Sequence, residues 1–359
     1  MRIAILSYSF LPKLGGGEIV LSELASYLSK MGNTVFVISN CKGPVEAVKN
    51  YPVYRTPHFC REGISRITHL LVAPFMLLFI HLMNRIDVVQ AAGLIDLFAA
   101  LPIKLIFRVP IVLRLSIWNH PDIVKRLRTA VSAADVIITL NNNMRDEVIE
   151  ADFNENQVVV IPNGVDINRF RPAHALLVDR CKIVLLWVGR LDSDKRPHLA
   201  IETLLLVKNA YDNICLQIVG EGHMEEQLRE MVSRYGLQDS VKFLGCQNHD
   251  EVAKIMRNAD IFLMTSKGEG MSNALLEAMA CGMTVVAPSA SAIDVIQNGF
   301  NGFIASDPKE MSSVILKLIA NTSLRRKIRE NARRTVLGRF SINRMTANYL
   351  QIYQKLRQK

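Results

Sequence analysis

The sequence predicts an α/β protein with two Rossmann-like domains that face each other across a cleft. The chain has 359 residues, about twice the common size of one domain. Short β-rich runs alternate with helix-length segments, which is the pattern of right-handed βαβ units. A turn-rich stretch, "PNGVDINRFRPAH" at residues 162–174, interrupts this pattern near its middle. Each half is therefore expected to hold its own parallel sheet.

The first domain is predicted over residues 1–174. Residues 1–8 indicate a buried strand, which leads through a glycine loop into an amphipathic helix closed by Gly32. The run "TVFVIS" is the next strand, so the order strand, helix, strand indicates a parallel unit. Further strands are expected at Asp87–Gln90, Ile111–Leu115, Val136–Leu140 and Val158–Ile161.

The second domain is predicted over residues 175–340, where the same pattern starts again. Its expected strands are "KIVLLWVGRL", "ICLQIVGEG", "VKFLG", "IFLMTS" and "TVVAP", each followed by a helix-length segment. A final segment, residues 341–359, is helical in pattern. The two halves resemble each other in architecture, without a short-period repeat.

Composition and charge point to an ordinary globular protein with an anionic neighbour. Apolar residues make up 50% and charged residues 21% of the chain, which excludes wholesale disorder. The formal net charge of +10 is concentrated in residues 325–359, with 11 basic and one acidic residue, and in residues 40–134, with 12 basic and 5 acidic. Phospholipid headgroups, a phosphate-bearing substrate or nucleic acid would suit these excesses, and so would a merely solvated helical face. Nucleic acid is disfavoured because only Phe340, Tyr349 and Tyr353 lie among the cations of the tail.

The cysteines and the apolar runs bear on the compartment. The six cysteines form no CxxC pair, which indicates separate thiols, mostly in a core, and a reducing cytoplasm. The N-terminus lacks the pattern of a signal peptide. The longest apolar run, residues 70–83, is shorter than the roughly 20 residues needed to cross a bilayer. It indicates either a buried helix or a helix in the membrane interface flanked by Arg61, Arg66 and Arg85.

Two loops at predicted strand ends are candidates for binding an anion. "GGGE" at residues 15–18 opens a helix, but Val20 replaces the third glycine of the dinucleotide pattern, which disfavours nicotinamide or flavin chemistry. In "VGRLDSDKRP", Arg190 and Lys195 suit a diphosphate, unless Asp192 and Asp194 merely neutralise them. We expect no metal at "DSD", since its carboxylates lie beside two cations.

The stretch "TSKGEGMSNALLEAMA" places two carboxylates at the start of a helix. Ser272 or Asn273 is the expected N-cap, and the preceding amides suit an anion. Side chains on a helix lean toward its N-terminus, so Glu277 is expected to face the same crevice as Glu269. Carboxylates accept hydrogen bonds from hydroxyl pairs. A ligand with hydroxyls at both ends and a diphosphate between them would satisfy the cations, the helix amides and the two carboxylates together. A nucleotide sugar has this structure.

These motifs carry a resemblance that runs nearly end to end. The segments "GGGE", "IPNGVDINRFRP", "VGRLDSDKRP", "IVGEG", "VKFLG" and above all "EGMSNALLEAMACGMTVVAP" resemble the family-four retaining, nucleotide-sugar-dependent glycosyltransferases with the GT-B fold. The resemblance implies an acceptor side in the first domain and a donor side in the second. It also implies that the last helix returns to the first domain.

The resemblance implies a role for each matching residue. Arg190 and Lys195 would hold the donor diphosphate, Glu269 would accept from sugar hydroxyls, and Glu277 would bind the ribose diol. Further donor contacts would come from Gly270, Met271 and Ser272, with Glu221 near the base. Gly15 and Gly16 would approach the donor or acceptor from the opposite domain. The family often places a His near the sugar, where this chain has Ser116, with His120 four residues later as a substitute.

The implied reaction is retaining sugar transfer from a nucleoside-diphosphate sugar to a hydroxyl of a glycan or lipid-linked acceptor, in polysaccharide or glycolipid synthesis. The nucleotide sugar would be a co-substrate, with no obligatory metal and no other cofactor. The enzyme would be cytoplasmic, with peripheral contact to an anionic membrane and no nucleic-acid partner. The alternatives are a GT-B epimerase or phosphorylase, a glycoside hydrolase, and a basic membrane- or nucleic-acid-binding module without catalysis.

Overall fold

The computed structural model describes residues 1–12, 15–40, 50–116, 127–173, 182–292 and 294–358. The chain divides into two compact units. The first unit comprises Met1–Gly164 and Ile342–Lys359, and the second comprises Val165–Ser341. Each unit is an α/β layer structure around its own parallel sheet.

The first unit contains a seven-stranded parallel sheet with the order β3-β2-β1-β4-β5-β6-β7. Its strands are β1 Arg2–Ser7, β2 Thr34–Ser39, β3 Val53–Arg55, β4 Val88–Ala91, β5 Ile111–Arg114, β6 Val136–Thr139 and β7 Val158–Val160. Its helices are α1 Gly16–Lys30, α2 Glu62–Asn84, α3 Leu94–Phe107, α4 Arg128–Val131, α5 Asn142–Glu150 and the C-terminal α13 Ile342–Arg357, with a 3₁₀ turn at Glu155–Gln157.

The second unit contains a six-stranded parallel sheet with the order β10-β9-β8-β11-β12-β13. Its strands are β8 Ile183–Val188, β9 Ile214–Val219, β10 Val241–Phe243, β11 Ile261–Leu263, β12 Thr284–Ala287 and β13 Phe303–Ile304. Its helices are α6 His198–Lys208, α7 Glu225–Arg234, α8 His249–Arg257, α9 Asn273–Ala280, α10 Ser289–Ala292, α11 Pro308–Ala320 and α12 Thr322–Arg339, with a 3₁₀ turn at Ser193–Lys195.

Most strands are largely apolar, since helices cover both faces of each sheet. In β1, Ile3 and Ile5 pack into one hydrophobic cluster, while Ala4 and Leu6 pack into another on the opposite face. Leu186 in β8 likewise faces a different cluster from its neighbours. Because both faces are buried, most strands form nearly continuous apolar runs in the sequence.

The order of the strands in each sheet indicates where a ligand can bind. In both units the strand order reverses direction once, between β1 and β4 in the first and between β8 and β11 in the second. In open parallel sheets, ligands bind beyond the carboxyl ends of the strands at such a switch point. The loops after β8 and β11 are the ones that the sequence marks with Arg190, Lys195 and Glu269.

The unit boundaries correct the predicted boundary at residue 174. The second unit begins at Val165, because Phe170 is fully buried in its core and the Arg333 guanidinium donates to the Phe170 carbonyl at 2.8 Å. The helix α13 belongs to the first unit, where Tyr349 and Tyr353 are buried and the Tyr353 hydroxyl donates to Gln90 Oε1 at 2.8 Å.

Two local features differ from the sequence expectation, and a third concerns a helix for which the sequence left two alternatives open. The edge strands β3 and β13 were not predicted, since β3 is only partly buried along its length and β13 has only two residues. The apolar run at residues 70–83 belongs to α2, of which one face is buried and the other exposed. Of the four cysteines that the structure describes, Cys215 and Cys281 are buried, whereas Cys60 and Cys246 are exposed.

Candidate active site

Lys195 and Glu269 meet at the switch point of the second sheet. Lys195 follows β8 and Glu269 follows β11, the strand next to it. Lys195 Nζ donates to Glu269 Oε1 at 2.5 Å, and Ser266 Oγ donates to the same oxygen at 2.7 Å. The two charged side chains are 24% and 16% exposed, so both are partly shielded from water yet open to a ligand. The structure thus brings together a cation and a carboxylate that lie 74 positions apart.

A second layer of hydrogen bonds holds these two loops together. Arg196 has a left-handed backbone with φ of 48°, and its side chain donates to the carbonyls of Thr265 and Ser266 at 2.7 and 3.1 Å. Thr265 Oγ1 donates in turn to the Lys195 carbonyl at 2.6 Å and accepts from Trp187 Nε1 at 2.9 Å. Strained backbone of this kind persists where surrounding contacts over-determine it. Sequence reasoning missed Arg196 and Thr265, for which no local pattern gave a signal.

Arg190 pairs with an aspartate of its own loop. Its side chain is 69% exposed and contacts Asp192 at 2.6 Å, and Asp192 also contacts His223 Nδ1 at 3.3 Å. The alternative considered from the sequence, neutralisation by a neighbouring aspartate, therefore holds for Arg190. A diphosphate role for Arg190 stays a prediction that requires this side chain to exchange Asp192 for the ligand.

The Glu277 carboxylate has a partner that the sequence did not suggest. Ser272 caps α9 by accepting from the Leu275 amide at 3.3 Å, and Glu277 lies further along this helix, only 7% exposed. His249 Nε2 lies 2.8 Å from Glu277 Oε1, and Arg169 Nη1 lies 2.8 Å from His249 Nδ1. Because an arginine can only donate, Nδ1 accepts and Nε2 carries the hydrogen that points at Glu277.

The Cys281 thiol lies near the Glu277 carboxylate and is expected to be unreactive at neutral pH. Burial and the nearby Glu277 carboxylate raise the pKa of Cys281 to about 12. The reactive thiolate form is therefore scarce at neutral pH, and Cys281 is a packing residue of the second core.

Two glycines let the loops after β8 and β9 come into direct contact. A Cβ at Gly220, where φ is 131°, would lie 1.8 Å from the Gly189 carbonyl oxygen, and one at Gly222 would lie 2.5 Å from the Leu191 carbonyl oxygen. Between them, Glu221 Oε1 accepts from the Cys246 amide at 3.2 Å. The structure thus joins Glu221 to the residue that directly follows "VKFLG".

The glycine loop of the first unit lies at the carboxyl end of β1. Gly15 is the N-cap of α1, whose first residue is Gly16. The Glu18 side chain folds back over Gly15 and accepts from Ser9 Oγ at 2.6 Å. The predicted approach of a donor or acceptor to Gly15 and Gly16 stays a prediction.

Ser116 is tied to a buried arginine at the end of β5. Arg114 is 2% exposed and donates to Ser116 Oγ at 2.7 Å and to Asn163 Oδ1 at 2.8 Å. His120 lies outside the described residues. A sugar contact by Ser116 or His120 therefore remains an expectation. Within the described ranges, no group of three or more His, Cys, Asp or Glu side chains has metal-binding geometry.

Comparison with known families accounts for nearly the whole chain. A family model described as Glycosyltransferase Family 4 matches residues 14–169, and one described as Glycosyl transferases group 1 matches residues 173–335. An uncharacterized glycosyltransferase of Methanocaldococcus jannaschii is 29% identical over 62% of this chain, a match that spans 59% of that relative's length.

Two relatives whose names state an activity match more of the chain. A phosphatidylinositol N-acetylglucosaminyltransferase subunit of Arabidopsis thaliana is 25% identical over 89% of this chain and 74% of its own length. The N-acetyl-alpha-D-glucosaminyl L-malate synthase of Bacillus anthracis is 22% identical over 98% of this chain and 96% of its own. Among solved structures, Anabaena HepE in complex with UDP and glucose shares the fold, with a TM-score of 0.80, 23% identity and 99% coverage of both chains.

Proposed function

Because this chain belongs to the glycosyltransferases that join a Glycosyltransferase Family 4 domain to a Glycosyl transferases group 1 domain, we propose that it transfers a sugar with retention of anomeric configuration. Its two parallel α/β units are those of GT-B glycosyltransferases. The donor is a nucleoside-diphosphate sugar, and the acceptor is a hydroxyl of a glycan or lipid-linked molecule. This chemistry belongs to polysaccharide or glycolipid synthesis in the cytoplasm.

The observation that carries the proposal is the contact between Lys195 and Glu269. A lysine ammonium has three donors, so Lys195 can keep its bond to Glu269 while it binds a phosphate oxygen. Glu269 retains a second carboxylate oxygen with which to accept from sugar hydroxyls. The junction between diphosphate and sugar, where the bond breaks, would then lie beside this pair.

Stabilisation of the leaving group is the main source of catalysis in this scheme. Negative charge grows on the diphosphate as the glycosidic bond breaks, so preorganised cations and amides lower the barrier directly. Lys195, the amides of Gly270, Met271 and Ser272 at the start of α9, and Arg190 after it leaves Asp192 would supply them. These groups remove the need for an obligatory metal, and the leaving phosphate itself takes the acceptor proton.

The donor can be identified by thermal stabilisation. The Arabidopsis and Bacillus relatives are both named for an N-acetylglucosaminyl group, and the Anabaena HepE structure contains UDP. UDP and UDP-N-acetylglucosamine are therefore the first candidates. In buffer with EDTA, a saturating donor is expected to raise the melting temperature by about 5–10 °C, since a ligand at 100 times its Kd adds about 2.7 kcal/mol. A panel of nucleoside diphosphates and their sugars checks this, and NMR of the product reports the anomeric configuration.

A panel without any stabilising nucleotide would contradict the donor assignment, and an inverted product would contradict retention. Stabilisation that appears only after Mg²⁺ is added would contradict the metal-free scheme. A changed nucleotide sugar formed without acceptor would instead indicate an epimerase.

His249 is expected to position Glu277 for the ribose diol. The variant His249→Phe keeps a ring against Phe170, whose centroid lies 4.8 Å away, but loses the hydrogen bond to Glu277. Loss of one hydrogen bond to a charged group is expected to raise the donor KM about tenfold, with little change in kcat. Steady-state kinetics measure this split, and His249→Gln, which keeps an N–H donor, is expected to restore most of the affinity. Equal KM values for wild type and His249→Phe would refute the role.

A further inference from the structure

The two helices α2 and α3 present a broad apolar surface away from their sheet. Along α2, Ile67, Leu71, Phe75, Phe79 and Met83 recur at intervals of four residues and are 58% to 73% exposed. The sequence between residues 67 and 84 contains no Asp, Glu, Lys or Arg. The end of α3 adds Leu105, Ile106 and Phe107, which are also exposed.

The two exposed stripes form one surface, here called the α2–α3 face. The rings of His81 on α2 and Phe107 on α3 lie 4.7 Å apart between centroids, which joins the ends of the two helices. Eleven of the fifteen large hydrophobic residues that are exposed in the described part of the chain lie on these helices. Single exposed apolar residues are ordinary, but a contiguous apolar surface of this kind marks an interaction site.

The opposite side of α2 is anchored in the first unit, so the exposed side cannot simply turn inward. Its buried His69 lies 3.0 Å from Asp96 at Nε2 and 3.2 Å from Thr56 Oγ1 at Nδ1. Ala73 and Leu77 pack into the hydrophobic core beside it. Although α2 is long and apolar enough to cross a membrane by length and composition, it packs against α3, β1 and β2 of the first unit. It is therefore fixed as a helix that lies along the surface.

Cations border the α2–α3 face at both ends. Arg61 and Arg66 lie at the start of α2, where Glu62 pairs with Arg66. Arg85 and Arg108 directly follow α2 and α3, and all four arginines are exposed. Arginines beside an apolar helix surface suit anionic headgroups above acyl chains.

We infer that the α2–α3 face inserts into the interface of an anionic bilayer leaflet. Protein interfaces usually carry about one hydrogen bond per 100–200 Å², and a stripe of Ile, Leu, Phe and Met offers none. A lipid interior needs none, and the arginine rim supplies the polar contacts. This inference rests on the proposed function for its lipid-linked acceptor. The α2–α3 face would hold the acceptor-side unit at the membrane, where such an acceptor lies.

The inference is tested by sedimentation of the full-length protein with lipid vesicles. The double variant Phe75→Gln, Phe79→Gln removes two rings that are 73% and 63% exposed from the face. The control Met31→Gln, Phe300→Gln removes two apolar residues elsewhere that are 54% and 44% exposed. Wild type and the control are expected to bind vesicles containing phosphatidylglycerol at least tenfold more tightly than they bind vesicles of pure phosphatidylcholine. The face variant is expected to bind both at least tenfold more weakly than wild type.

Insertion can also be read directly. The fluorescence that Phe75→Trp adds to that of the two native tryptophans is expected to be quenched by brominated lipids, whereas the fluorescence added by Met31→Trp is not. Equal vesicle binding by the two double variants, or no quenching at position 75, would overturn the inference. A wild-type dimer that Phe75→Gln, Phe79→Gln dissociates, without vesicle binding, would assign the face to a second copy of the chain.

The test of membrane insertion and the test of donor binding can give different results. Thermal stabilisation by nucleotides is expected to be the same for wild type and the face variant. A protein that binds vesicles but no nucleotide would contradict the donor assignment and leave the membrane inference standing, and the reverse result would do the opposite.

Discussion

Replacing Lys195 with alanine is expected to lower kcat for sugar transfer by roughly 10²–10³ while the fold is retained, because one preorganised donor to the leaving diphosphate is lost. The Lys195 and Glu269 side chains are partly exposed, so the loss of their ion pair is expected to change the unfolding free energy by no more than about 1 kcal/mol. Single-turnover transfer with the donor identified by thermal shift measures the first quantity, and thermal unfolding measures the second.

A matched control exists in the same unit. Lys254 pairs with Glu251 at 2.5 Å, the same distance as between Lys195 and Glu269, but on the exposed surface of α8. The variant Lys254→Ala is expected to transfer sugar at nearly the wild-type rate. If Lys195→Ala also keeps near-normal turnover, the site assignment is wrong.

The companion variant Glu269→Ala tests whether the pair acts as one unit. It removes the acceptor of sugar hydroxyls and leaves Lys195 without its carboxylate, so it is also expected to lose transfer. Because the two side chains are in contact, the double variant is expected to be less impaired than the product of the two single losses. Strictly multiplicative losses would indicate that the two residues act independently.

Replacing Gly220 with alanine is expected to destabilise the second unit by about 3–5 kcal/mol, through both backbone strain and steric overlap. The backbone φ of Gly220 is 131°, which is unfavourable for alanine. The new Cβ would lie 1.8 Å from the Gly189 carbonyl oxygen. That atom belongs to the backbone, so the loop after β8 must move to make room. A fall in melting temperature of about 6–20 °C is expected by calorimetry or circular dichroism.

The loop shift is also expected to weaken donor binding, because the loop after β8 carries Arg190 and Lys195. Gly338→Ala, in the helix α12 with nothing within 4 Å of the added Cβ, is the control and is expected to be neutral or slightly stabilising. A Gly220→Ala protein with wild-type melting temperature would show that the two loops do not make this close approach.

Much of the fold followed from local pattern. Helices cover both faces of each sheet, so strands such as β1 and β8 are continuous apolar runs that the sequence displays directly. The edge strands β3 and β13 are short and give no such run. The boundary near residue 164 was also missed by ten positions, because turn-forming residues at 162–174 mark irregular backbone and do not say which core it packs against.

The sequence by itself determined the class of the protein, and it predicted the strand ends and charged residues of the candidate site. Only the tertiary structure decided how those residues are paired: Lys195 with Glu269, Arg190 with Asp192, and Glu277 with His249. It also decided that one side of α2 is exposed. The physical reason is that strand and helix periodicity is written in neighbouring residues, whereas these contacts join segments brought together by the order of strands in a sheet.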